Sequence, residues 1–212
     1  MDKTNFGVTD AMYATAWRAK QWATEIGCKS PCTKSKRGVV IFSPPRDRRQ
    51  GGEDIWGEGY NAPPEPFRCD GSEACRAACG RICVHAEQAA LLDFWRGRRD
   101  AQARGDPRWP RLSDQWTRDE GEAQLEMLHV KVVNGEAVPG GPPSCVECSK
   151  LILASGLRAM WLYEVRPRDD LLGTPEFIAS LDAEKLYPTL VRYTALEFHT
   201  ETLRNLDMTC TT

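Results

Sequence analysis

Two short stretches carry residues whose types and spacing could do chemistry. "RICVHAEQAALLDFW" (81–95) sets His85 and Glu87 at the mouth of an otherwise apolar helical run, and "PPSCVECSKLI" sets Cys145 and Cys148 three apart at a predicted helix start. Sulfurs at that spacing project from one face of the first helical turn. The unpaired N–H groups there favour thiolate. If the His85 helix lies alongside, one imidazole and two thiolates make three ligands of a tetrahedral zinc, and the fourth position is left for water, as in a catalytic site. Glu87 would stand beside that water without ligating it, where a carboxylate can shuttle protons. A CxxC alone in a chain with nine cysteines is a weak sign of metal, and an HxE alone is most often a helix-capping polar pair. Together, each followed by an apolar helix and with a strand between them, they are far more specific.

The remaining candidates are less sharply defined. Cys69, Cys75, Cys79 and Cys83 lie within fifteen residues just upstream of His85. Four thiols so close could close a second, structural zinc. Alternatively, Cys79 and Cys83 pack as small hydrophobes while Cys69 and Cys75 are loop thiols. Cys28 and Cys32 are core residues or extra ligands. His129, inside an apolar strand, is expected to be a satisfied core residue, and His199 a surface histidine on the last helix.

Several elements must position these groups. "DAMYATAWRAKQWATEIG" (10–27) has helical apolar spacing and stops at glycine. "RGVVIF" (37–42) is a β-branched run that reads as a buried strand, and "IWGEGYN" (55–61) alternates as a second strand after a Pro- and Gly-rich turn. The His85 helix is predicted over about 86–97. A charged stretch over about 96–123 follows as a surface insertion. A strand (124–133), the Cys145 helix ending at Gly156 and another strand (157–165) come next, then a C-terminal extension over about 170–212 with helices near 174–185 and 194–206. Strands alternating with helices predict one α/β domain over 1–212, a mixed sheet of about five strands between helical layers.

A chain of 212 residues with 41% hydrophobic residues can bury a good-sized core. No stretch approaches the roughly 20 apolar residues of a membrane span, and "MDKTNFGVTDAMYATAW" lacks a signal-peptide core. A cytoplasmic protein without membrane partners is expected. The odd cysteine count, in tight clusters, then points to thiolates and metal and away from disulfides. A net charge of −2 does not favour non-specific binding to long polyanions.

At these residues the sequence resembles the zinc-dependent cytidine deaminase superfamily, whose signature pairs HxE with PCxxC. The resemblance is closest to the deoxycytidylate deaminase branch. The matching stretches are "CTKSKRGVVIF", "GEGYNAPP", "CDGSEACRAACGRICVHAE" and "PPSCVECSKLILASGLRAMWLYE", and they cover roughly residues 10–165. It implies a cytidine-deaminase-like α/β/α sandwich and a homo-oligomer. It also implies a zinc-dependent hydrolase that converts a cytosine nucleotide of dCMP type to the uracil product with release of ammonia. It further implies that Glu87 carries the protons, that the backbone N–H groups of Ala86 and Cys145 contact the pyrimidine carbonyl and the reacting oxygen, and that Asn61 contacts the sugar. Several deoxycytidylate deaminases carry a metal-binding Cys/His-rich loop where Cys69–Cys83 stand. Two departures are local: Ser144 replaces the proline directly before the first cysteine, at a loop over the base, and the charged insertion lengthens the stretch between Glu87 and Cys145.

The alternative is a deaminase acting on polynucleotide or on another amino-bearing base, since tRNA adenosine deaminases share features before HAE. Its best feature is the insertion, where Arg96, Arg98, Arg99, Arg104, Arg108 and Arg111 interleave with Trp95 and Trp109. Such groups can hold a phosphate backbone and stack bases, although a charged surface stretch is usually only solvated. An intact Glu87 argues against a non-catalytic zinc scaffold.

Overall fold

The computed structural model describes residues 8–43, 55–105, 125–141, 143, 145–171, 175–182 and 184–209. Helix α1 (Asp10–Cys28) starts at an N-cap, Thr9, whose side chain accepts the Met12 N–H, and buries Ala16, Ala19, Ala23 and Ile26 at helical spacing. Strands β1 (Lys36–Phe42) and β2 (Ile55–Tyr60) follow. The last five residues of β1 are all buried, as expected for a strand covered on both faces. After α2 (Glu73–Ile82) and α3 (Ala86–Arg104) come β3 (Glu126–Val133), the short β4 (Glu136–Val138), α4 (Val146–Ala154), β5 (Ala159–Pro167), α5 (Pro175–Ala179), β6 (Leu186–Thr194) and α6 (Ala195–Thr209).

These six strands form one mixed sheet in the order β2-β1-β3-β5-β6, with β4 hanging on β3. Only β3 and β5 pair in parallel, with His129 opposite Leu162. Side chains alternate across a strand, so the sheet has two apolar faces. Val40, Phe42, Leu128, Val130 and Trp161 pack against α1. Val39, Ile41, Met127 and Met160 pack against α3, α4 and α6 through Ala90, Phe94, Ile152 and Phe198. The α/β/α sandwich expected from the sequence is thus present. Among the described residues, no helix is long and apolar enough to cross a membrane.

Four features differ from the sequence expectation. α3 runs to Arg104 and so takes in the first part of the predicted insertion. The expected end falls at Gly97, but a mid-helix glycine costs only about 1 kcal/mol, and the chain leaves the helix at Gly105, in the left-handed conformation. Arg96, Arg98, Arg99, Arg104 and the exposed Trp95 therefore lie on a helix, while Arg108, Trp109 and Arg111 lie outside the described residues. The cysteine-dense loop folds its middle into α2, whose N-cap Ser72 accepts the Cys75 N–H. The C-terminal region, expected as helical, contributes β6 as a sixth strand. "LYPTLVRYT" is rich in β-branched and aromatic residues, and its Pro188 is tolerated because β6 is an edge strand. The fourth difference is β4, a short addition to β3.

Glu126 is buried at the start of β3. It accepts from Trp161 Nε1 of β5 and pairs with Arg192 of β6 at 2.6 Å, so one carboxylate ties three strands together. A buried carboxylate of this kind is tolerated because its oxygens are matched by donors.

Candidate active site

His85 and Cys145 are the N-cap residues of α3 and α4. The two helices pack side by side on one face of the sheet. A capping box reinforces the first, with Gln88 Oε1 accepting the His85 backbone N–H at 3.0 Å. In the second, Cys145 Sγ accepts the Cys148 backbone N–H at 3.3 Å. His85 Nδ1 is 3.2 Å from both Cys145 Sγ and Cys148 Sγ, and the two sulfurs are 2.9 Å apart. These three residues alone, among the described residues, form a group of three or more side chains within reach of one metal ion.

The sulfurs differ electrostatically. Cys145 is held down to about 5, chiefly because the Cys148 thiol donates to it, with His85 also helping and burial opposing. Cys148 is pushed up by that same donation to Cys145 and by burial. The His85 ring is raised by its contact with Cys145. One imidazole nitrogen and two sulfurs, one already thiolate, are a donor set that suits zinc.

Glu87, the second residue of α3, is buried. Its two oxygens face different ways: Oε2 is 3.8 Å from Cys148 Sγ, and Oε1 is 3.2 Å from His129 Nδ1. Burial by itself would push the carboxyl up, but the His129 ring, the helix N–H groups and His85 together hold it down to about 2. Glu87 thus lies next to the His85/Cys145/Cys148 group without being one of its three members.

A cavity of about 350 Å³ opens over these residues, lined among others by Lys34, Arg37, Asn61, Ala86, His129 and Leu162. That is the lower end of the size range for small-molecule sites. Ala86 is buried on its wall at the first position of α3, where a backbone N–H has no partner within the helix. Asn61 also lines the cavity, but its amide mostly knits the scaffold. Oδ1 accepts from Ser30 Oγ and the Arg37 N–H, and Nδ2 donates to the Ser35 carbonyl. One amide N–H is left for a ligand. Ser144 lies outside the described residues.

The four upstream cysteines fall into two pairs, Cys69 with Cys75 at 3.6 Å and Cys79 with Cys83 at 3.4 Å between sulfurs. They are not gathered around one point among the described residues. Cys79 and Cys83 line the cavity together with the buried Cys32, and burial followed by the Cys79 contact pushes the Cys83 thiol up to about 12. Cys28 is exposed. His199 is not a free surface residue: its Nδ1 is 2.9 Å from Ser149 Oγ on α4, directly behind Cys148.

His129 is the residue whose expected place the structure changes most. It is half-buried on the cavity wall, with Nδ1 on Glu87 and Nε2 buried without a hydrogen-bond partner among the described residues. The signal for this was parity: position 129 shares with Met127 the sheet face that α3 covers. Lys34 and Arg37, which bring positive charge to the cavity, stand inside the matching stretch "CTKSKRGVVIF", but no role was read for them there.

No protein-family model matches the chain, and no curated protein matches it. Among solved structures, it is similar to the dCMP deaminase of the cyanophage S-TIM5 in apo form, at 18% identity and a TM-score of 0.39, over 68% of this chain and 79% of that one. The same phage enzyme in complex with dCMP and dUMP gives a TM-score of 0.37 at 18% identity, over 68% and 74%. The cytidine deaminase of Burkholderia pseudomallei is similar at 15% identity and a TM-score of 0.41, over 86% of this chain and 94% of that one.

Proposed function

We propose that this chain is a zinc-dependent hydrolytic deaminase that converts a cytosine nucleotide of dCMP type to the uracil product and ammonia. One observation carries this: a His85/Cys145/Cys148 ligand triangle with the ionised, non-ligating carboxylate of Glu87 beside it, at the wall of a nucleotide-sized cavity. His85, Cys145 and Cys148 would hold the zinc, which when bound supplies a Lewis acid that makes water acidic enough to deprotonate near neutral pH. The protein's own groups do the rest. Glu87 takes one proton from the attacking water and delivers it to N3 of the ring, then takes the second from the new C4 hydroxyl and passes it to the exocyclic amine, which leaves as ammonia while C4 becomes a carbonyl; one carboxylate serves as base and acid in turn. The helix-start N–H of Ala86 can orient the pyrimidine carbonyl. Lys34 and Arg37 bring positive charge to the cavity, which supports a phosphorylated substrate over a free nucleoside.

Zinc-loaded protein should release ammonia fastest from dCMP or CMP in a panel that also holds deoxycytidine, cytosine, guanine, adenosine, single-stranded DNA and tRNA. Turnover of single-stranded DNA alone, falling steeply with added salt as phosphate contacts are lost, would replace the free nucleotide by a polynucleotide. No ammonia from any member would remove the deaminase assignment.

A further inference from the structure

The Glu87 carboxylate is the only proton carrier in the proposed reaction, and one of its contacts comes from another element. His129 reaches it from β3, 3.2 Å from Nδ1 to Oε1. That leaves Oε2 as the oxygen turned to the Cys148 side. At that distance the ring nitrogen and the carboxylate oxygen share a hydrogen bond, which the clamp requires Nδ1–H to donate. The other ring nitrogen, Nε2, is buried and has no partner among the described residues, on a side chain that lines the cavity. A buried polar atom left unmatched costs roughly 1–3 kcal/mol, so its natural partner is a group brought in by the ligand. We propose that His129 is a positioning residue with two separable jobs: its Nδ1–H clamps Glu87 in the rotamer that presents Oε2, and its Nε2 hydrogen-bonds the bound nucleotide.

The two jobs can be separated because asparagine keeps a donor near the Nδ1 position and glutamine keeps a polar group near Nε2, whereas leucine keeps neither. The kinetic part rests on the deaminase assignment. His129→Asn should hold kcat within a few-fold and raise KM for dCMP about five- to ten-fold, the effect of one lost hydrogen bond. His129→Gln should instead lower kcat by roughly 10- to 100-fold, as a misplaced catalytic group does, with KM little changed. His129→Leu should show both defects. Zinc content and melting temperature, measured on all three, identify any variant that has simply failed to fold. Equal losses in the Asn and Gln variants, or a His129→Leu variant as active as the parent, would overturn the proposal. A second readout needs no turnover: the chain has three histidines, so the ring nitrogens of the zinc-loaded protein can be assigned by 15N NMR with the His129 variants. Nδ1 of His129 should be the protonated nitrogen, and Nε2 should shift when dUMP is added while the His199 ring does not. An unprotonated Nδ1 refutes the clamp whether or not the protein deaminates anything. A protein with the protonated Nδ1 but no activity on any nucleotide would retain the clamp and lose the deaminase assignment instead.

Discussion

His85 and Glu87 are two positions apart yet face different partners, and that difference separates their expected phenotypes. His85 Nδ1 closes the triangle with the two sulfurs, so His85→Ala should leave the purified protein without zinc by elemental analysis. Glu87 stands outside the triangle, and Glu87→Ala should keep about one zinc per chain while deamination falls on the order of 10²-fold or more. Loss of metal from the Glu87 variant would show that the carboxylate is a ligand and that its assignment as proton carrier is wrong. The grouping of His85, Cys145 and Cys148 with Glu87 beside it was legible in the sequence because it depends on local spacing at helix starts. His129 was not, because its contact crosses from β3 to α3 and nothing in the local run "EMLHVKVV" separates a core histidine from one facing a carboxylate. Asn61 was legible as a special residue, but most of its amide serves the scaffold.

The position of α3 on the sheet depends on glycines in β2. A Cβ at Gly59 would come within 2.3 Å of the Ala90 backbone nitrogen and 2.5 Å of the Ala86 carbonyl oxygen. Backbone on both sides cannot yield, so α3 itself would have to shift, and its first turn carries His85, Ala86 and Glu87. Gly59→Ala should therefore cost at least about 1–3 kcal/mol and lower the melting temperature by several degrees. It should also reduce zinc retention, measured on the same samples; a variant with unchanged melting and zinc content would show that α3 does not depend on that close approach. The sequence announced these elements unevenly. α1, β1, β3, α4 and β5 follow from periodicity and breakers, since each has one dominant local pattern. The end of α3 and the whole of β6 were hidden by Gly97 and Pro188, residues that usually stop an element but are tolerated where packing or an edge position offsets the lost propensity.

Across the whole molecule, the candidate site gathers groups from distant parts of the chain. His85 and Cys145 are 60 positions apart, and β3, which supplies His129, lies between them. The Glu126 carboxylate holds β3, β5 and β6 in register on the opposite face of the sheet from the cavity. The helices α3 and α4 share a further property: each begins on a member of the His/Cys/Cys group, with His85 capping α3 and Cys145 capping α4. First-turn amides of a helix are the ones that open most readily, because they lack partners within the helix. An ion shared by both caps would fasten both openings at once. Amide hydrogen exchange over 86–89 and 146–149 should then slow together when zinc is added and quicken together under chelation, while exchange in α1, whose cap Thr9 touches no ligand, stays the same. Independent responses of the two segments would mean that the ion does not join them.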